Sequence, residues 1–188
     1  MSPAEKKSFR GKKIFLGVTG SIAAYKSAEL IRRLQDHGHD VTVVMTKEAE
    51  KFITALTLAS LSGHKVYQDM FEENVSTWHM HHIQLAKEAD VLLIAPATAN
   101  IIGKIAAGIA DDLLTCLVLA TKAKIVIAPA MNDDMLQNKI VQKNCEQLKE
   151  IGIKFIEPVK GKLACGVMGE GHLAEVEDIV KAVNSLGK

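Results

Sequence analysis

The chain has 188 residues, 48% of them hydrophobic, with a formal net charge of +1, which is enough to bury one substantial core and too apolar for a disordered segment. Acids and bases are interspersed, so no polyanion-binding surface is expected and nucleic acid is a poor partner. The longest apolar run, near residues 91–99, contains Pro96 and is too short to cross a bilayer, and the polar, basic N-terminus lacks the apolar stretch of a signal peptide, so no membrane contact and a cytoplasmic location are expected.

Residues 1–12 read as a basic extension and 13–188 as a single domain. Lys13–Val18 (KIFLGV) has the unbroken apolar character of a central strand, and 21–37 has helical spacing that turns Ile22, Leu30, Ile31 and Leu34 inward. Asp40–Met45 is a second strand, followed by a helix over about 52–61 that closes at Ser62-Gly63. A short helical stretch over 82–88 leads into a strand at 90–95. An Ala/Ile/Leu-rich helical region at 101–120 separates that strand from another at 124–128. A helix over about 136–151 carries Leu136, Ile140, Cys145 and Leu148 on one face, and a late strand at 153–156 and a closing helix at 178–186 complete the chain. Strands alternating with helices at this rhythm predict a single-domain α/β fold with a doubly wound, Rossmann-like parallel sheet. Ligands of such sheets sit outside the carboxyl ends of the strands, so the residues that follow each strand carry the functional information.

The first strand is followed by Gly17-Val-Thr-Gly20-Ser21-Ile22. Free N–H groups and the Ser21 hydroxyl make an anion site there, or else Ser21 simply caps the helix while Gly20 makes the turn. The spacing is not G-x-G-x-x-G, and Met45-Thr46-Lys47 ends the second strand where a dinucleotide enzyme places an acid. A hydroxyl and a lysine there suit a phosphate, which favours a mononucleotide over NAD. The turns Ala95-Pro96-Ala97-Thr98-Ala99-Asn100 and Ala128-Pro129-Ala130-Met131-Asn132 follow neighbouring strands. Small residues let a flat ring lie against the backbone. Thr98 and Asn100 can bond the ring's polar edge or Thr98 can cap a helix; Asn132 can donate to a carboxylate or cap the helix after it. Asp111-Asp112 reads as a favoured helix start more readily than as a metal site.

Trp78-His79-Met80-His81-His82 lacks zinc-ligand spacing; His79 and His81 read as surface residues and His82 as an acid/base or substrate-binding group. The three cysteines have no C-x-x-C spacing, which fits a reducing compartment. Cys116 and Cys145 lie in apolar helical patterns and read as core. Cys165 lies in Leu163-Ala-Cys-Gly166, which leads into Gly169-Glu-Gly171 and reads as a mobile loop. A thiol in a closing loop is a candidate proton donor or nucleophile, and a buried structural cysteine is the competing reading.

Five stretches in this order resemble the flavin-containing cysteine decarboxylases, a family that includes the phosphopantothenoylcysteine decarboxylases of coenzyme A biosynthesis. They are the turn at 17–22, His82-Ile-Gln-Leu-Ala86, Pro96-Ala-Thr-Ala-Asn100, Pro129-Ala-Met-Asn132 with Met135, and Ala164-Cys165-Gly166. The resemblance implies a flavoprotein fold with FMN as cofactor, held by Gly20, Ser21, Ile22, Thr46, Phe52, Ala97, Thr98, Ala99 and Asn100. It implies that Asn132, Met131 and Met135 bind substrate, that His82 assists decarboxylation and that Cys165 is the acid. The implied reaction turns 4'-phosphopantothenoylcysteine into 4'-phosphopantetheine, and the implied assembly is a homo-oligomer built on trimers. A phosphopantothenate–cysteine ligase, fused in many bacterial relatives, is an implied partner. Related alternatives are a peptidyl-cysteine decarboxylase and a non-catalytic regulatory flavoprotein. Against the family's pattern, Thr98 replaces a Ser, Ile101 a Thr, Leu136 a Trp and Val167 an Asp. The positions of Leu136 and Val167 bear on the identity of the substrate.

Overall fold

The computed structural model describes residues 11–70, 81–162 and 168–187. Five strands form one parallel sheet: β1 (Lys13–Val18), β2 (Asp40–Met45), β3 (Val91–Ala97), β4 (Lys124–Pro129) and β5 (Lys154–Phe155), in the order β2-β1-β3-β4-β5. Every pairing is parallel, with Ile14 opposite both Val41 and Val91. The expected doubly wound sheet is therefore present.

Side-chain alternation along the strands divides the core in two. Ile14, Leu16 and Val18 of β1, with Val91, Leu93 and Ala95 of β3, face one layer, built on α1 (Lys26–Asp36), α2 (Ala55–Ser62) and α8 (Val176–Asn184). Phe15, Leu92 and Ile94 face the other, built on α3 (His81–Glu88), α4 (Ala99–Ala106), α5 (Leu113–Ala120) and α7 (Lys139–Glu150). Both faces of the sheet are covered, which is why its strands carry no polar alternation. Each fully buried Leu or Ile contributes about 1.5–3 kcal/mol through its removal from water.

Several expectations are corrected by the caps. Residues 22–25 form a single 3-10 turn after N-cap Ser21, and the α-helix begins only at Lys26. The tighter turn rotates Ile22 away from the core, leaving it 58% exposed. The region 101–120 is two helices, because Asp112 starts α5 with a capping box in which Thr115 N–H donates to Asp112 Oδ1 at 2.8 Å. Likewise Asn138 caps α7 and parts it from α6 (Asp133–Gln137), so Ile140 falls off the apolar face and is 71% exposed. Thr54 caps α2, so Phe52 precedes that helix and is exposed, whereas Gly63 ends it in the left-handed region as the sequence predicts.

Two further corrections concern the end of the chain. The closing helix starts two residues earlier than expected. Gly169-Glu-Gly171 is not loop: it lies in β7 (Met168–His172), which pairs antiparallel with β6 (Val159–Lys162) in a ribbon the sequence does not announce. Cys145 is buried as expected, but Cys116 is only partly so. Among the described residues, no helix is long and apolar enough to cross a membrane.

Candidate functional site

The cleft sits where strand order reverses. The chain leaves β1 for β2 on one side and reaches β3 on the other, so the loops after β1 and β3 part and open a crevice at their carboxyl ends. A cavity of about 760 Å³ lies there, floored by Thr19, Gly20 and Ser21 after β1, Thr98 to Asn100 after β3, and Ala130 to Asn132 after β4.

Hydrogen bonds from the Thr19 hydroxyl and from the backbone lock these strand ends together. Thr19, buried at the end of β1, donates from Oγ1 to the Pro96 carbonyl at 2.7 Å and accepts from the Thr98 N–H at 3.2 Å. Ala130 N–H donates to the Ala97 carbonyl at 2.9 Å, and Met131 N–H to the Gly171 carbonyl at 3.0 Å. The floor is thus continuous from β1 through β3 and β4 to β7. Close approach at the last step requires glycine, since a Cβ on Gly171 would lie 1.9 Å from the Met131 carbonyl oxygen. Gly20 is similarly constrained by Glu48, whose Cβ would be 2.4 Å from an added Cβ.

Ser21, Thr98 and Asn132 cap the turns that follow them and also line the cleft. Ser21 caps the 3-10 turn by accepting from Ala23 N–H at 3.3 Å, and it also lines the cleft. Thr98 caps α4 by accepting from Ile101 N–H at 3.3 Å, and lines the cleft too. Asn132 Oδ1 accepts from Asp134 N–H at 2.9 Å and Met135 N–H at 3.4 Å. Capping with its oxygen leaves the Asn132 amide nitrogen as the donor available to a ligand. Asp112 accepts from Thr115 and from Lys104 Nζ at 3.2 Å, the structural role expected of it. Among the described residues no cluster of three or more histidines, cysteines or acids could hold a metal ion.

Thr46 is the informative polar group. It is 7% exposed, lines the cleft, and its Oγ1 has no hydrogen-bond partner. A buried hydroxyl left unpaired costs stability unless a ligand completes it. An unsatisfied hydroxyl beside the Ser21 turn, with two small-residue strand ends across the cleft, fits a flat ring carrying a phosphate tail.

Of the residues expected to bind cofactor or substrate, Gly20, Ser21, Ile22, Thr46, Thr98, Ala99, Asn100, Met131, Asn132 and Met135 line this one cleft. Ala97 is fully buried and contributes its carbonyl to the floor, while Phe52 and Lys47 are exposed and outside the lining. His82 belongs to the first turn of α3, but its side chain, like Cys165, lies outside the described residues. The sequence reading missed Thr19, Tyr25, Lys26, Glu48 and His172, all of which line the cleft. Tyr25 and Lys26 sit within the helical pattern after Ser21, and only the late start of α1 brings them to the rim.

A profile of the flavoprotein family matches residues 2–187, nearly the whole chain. The chain belongs to the flavoprotein family. It is 47% identical over 170 residues to the coenzyme A biosynthesis bifunctional protein CoaBC of Vibrio vulnificus, covering 90% of this chain and 42% of that protein. The chain therefore spans less than half the length of that relative. Among solved structures, this flavoprotein is similar to a mutant PPC decarboxylase complexed with pantothenoylaminoethenethiol, with 35% identity and a TM-score of 0.82 over 93% of this chain and 97% of the other. It is also similar to the FMN-dependent cysteine decarboxylase SpaF, with 32% identity and a TM-score of 0.80 over 92% and 95%.

Proposed function

We propose that this flavoprotein is an FMN-dependent carboxy-lyase that converts 4'-phosphopantothenoylcysteine into 4'-phosphopantetheine in coenzyme A biosynthesis. The observation that carries the reading is the unpartnered, buried Thr46 hydroxyl in a cleft bounded by Ser21 and two Ala-Pro-Ala strand ends. Its likeness to CoaBC and to PPC decarboxylase supports the choice of substrate. When bound, FMN would supply the transient oxidation of the substrate thiol that gives the departing carboxylate an electron sink.

The chain's own residues do the rest. Ser21 and Thr46 take the cofactor phosphate, while Ile22 and residues 97–100 flank its ring. Asn132 donates from its amide nitrogen to the substrate carboxylate, in an orientation that its cap on α6 holds fixed. Met131 and Met135 supply an adaptable apolar wall beside it. His82 assists loss of carbon dioxide, and Cys165 donates the final proton to carbon; both roles rest on the family resemblance. Exposed Ile22 and Tyr25 at the cleft rim support a homo-oligomer in which a neighbouring copy covers that side, and trimers as its unit rest on the family resemblance. The expected setting is the cytoplasm, with a phosphopantothenate–cysteine ligase, fused or separate, making the substrate.

The test is direct. Purified protein loaded with FMN and given 4'-phosphopantothenoylcysteine should release one carbon dioxide for each 4'-phosphopantetheine formed, with no added oxidant. A protein that neither binds FMN nor releases carbon dioxide would overturn the reading. Preferential turnover of a peptide ending in cysteine would replace the substrate while keeping the chemistry. The Cys165→Ser variant should accumulate decarboxylated but still oxidised product.

A further inference from the structure

The charge inside the cleft is not accounted for by the roles above. Among the described residues that line it, Lys26 is the one lysine or arginine, and Glu48 and Asp112 are the acids. Asp112 already accepts from Lys104 Nζ and from Thr115. The Lys26 side chain is only 14% exposed, and its counter-charge is Glu175 Oε2 at 4.0 Å, on a side chain 64% exposed. That separation exceeds hydrogen-bond range, so the ammonium keeps its donors for a ligand. Water around Glu175 further weakens the pairing. Glu175 stands at the N-cap position of α8, two residues after Leu173, another lining residue. The Lys26–Glu175 pair therefore marks the wall made by the first turn of α1 and the β7–α8 connection.

The second, independent observation is Thr46, more than nine-tenths buried with its hydroxyl unpartnered in the same cleft. Two hydroxyls, Ser21 and Thr46, can bond a phosphate but cannot balance its charge. A phosphate monoester near pH 7 carries between one and two negative charges, and a mostly buried site needs a cation to hold it.

We infer that Lys26 Nζ is the cationic contact for a phosphate monoester held in the cleft, exchanging its distant Glu175 partner for the ligand. The inference rests on the proposed function, in which both the cofactor and the substrate carry such a group. It adds a specificity-determining residue that selects phosphorylated over unphosphorylated ligands.

Lys26→Met removes the charge and keeps the apolar stem, and Lys26→Arg restores the charge. FMN and riboflavin affinities are read by flavin fluorescence. KM is read for 4'-phosphopantothenoylcysteine and for pantothenoylcysteine. Lys26→Met should weaken one phosphorylated partner by about tenfold or more while its unphosphorylated counterpart stays within about twofold, and Lys26→Arg should recover most of the loss. A loss confined to FMN assigns the contact to the cofactor; a loss confined to the substrate's KM assigns it there. Equal weakening of phosphorylated and unphosphorylated partners, or no change in either, overturns the inference. Glu175→Gln, at an exposed position, guards against a folding failure of Lys26→Met. It should leave phosphorylated ligands bound as tightly or more tightly, and weaker binding of them would also overturn the inference. A wild-type protein that prefers FMN to riboflavin through Lys26 yet releases no carbon dioxide would sink the proposed function and leave this contact standing.

Discussion

Thr46 shows how one side chain can be a liability to the fold and an asset to a site. Its backbone directly follows β2, where Thr46 N–H donates to the Val18 carbonyl at 3.0 Å, while its hydroxyl is buried without a partner. Replacing an unpaired buried hydroxyl with a methyl of similar shape is close to neutral or stabilising. Thr46→Val should therefore keep or raise the melting temperature of the protein without FMN. It should also weaken FMN binding by about tenfold or more, the cost of a hydrogen bond to a charged group. Calorimetry without ligand and a flavin titration separate the two effects. A parallel loss of both would mean that the hydroxyl supports the fold and not a ligand. The sequence marks Thr46 as a candidate by its position after a strand. It could not mark Lys26, whose helical neighbours make it read as an ordinary surface lysine.

At the scale of elements, the β6–β7 ribbon is what closes the cleft on the β4 side. Its link to the floor is the bond from Met131 N–H to the Gly171 carbonyl, which needs the backbones in contact. Gly171→Ala would place a Cβ 1.9 Å from the Met131 carbonyl oxygen, so the ribbon must move away. An overpacked site of this kind costs about 1–3 kcal/mol. The expected outcome is a protein that remains folded, with a lower denaturation midpoint and a KM raised more than kcat is lowered, because Asn132 and its neighbours lose their backing. Unchanged kinetics would show that the ribbon takes no part in ligand binding. A run of glycines read by itself suggests a mobile loop, and here it is a strand. Absence of side chains permits both, and only the partner strand and the Met131 carbonyl select between them.

Across the whole molecule, the edge opposite the cleft is held by a buried polar link. His39, at the turn before β2, accepts the Lys12 N–H on Nδ1 at 3.1 Å and bonds Asn184 Oδ1 through Nε2 at 2.7 Å. Lys12 Nζ donates to the Val183 carbonyl at 2.7 Å, so the residues before β1 and β2 are both tied to the end of α8. The two bonds make the His39 imidazole neutral, with its proton on Nε2. Burial pushes its pKa below the ordinary value, opposed by the Asn184 bond and reinforced by the charge on Lys12. A histidine whose folded pKa is depressed binds fewer protons folded than unfolded. Its contribution to stability is complete above the unfolded value of about 6.5 and is lost as pH falls through the lower folded value. Urea midpoints should thus decline over the acidic interval below about pH 6.5 in the wild type. His39→Gln should be less stable at pH 8 and should show a flatter slope over that interval; equal slopes would place the acid sensitivity elsewhere.

Strand identity, turn chemistry and nearly half of the cleft residues were legible from the sequence because they depend on neighbours within a few positions. Short unbroken apolar runs such as KIFLGV, closed by glycine-containing turns, suit strands buried on both faces, and Ser, Thr and Asn after a strand either cap or bind. In this chain they cap and also line the cleft. Helix phase was less legible, since one 3-10 turn at 22–25 or one cap at Asn138 rotates every later side chain, as Ile22 and Ile140 show. What the tertiary structure alone decided is the strand order β2-β1-β3-β4-β5, the ribbon that closes the cleft, the isolation of the Thr46 hydroxyl and the long-range pairing of the Lys26 ammonium with Glu175. Whether a polar atom finds a partner depends on groups far away in the chain, and no local pattern encodes that.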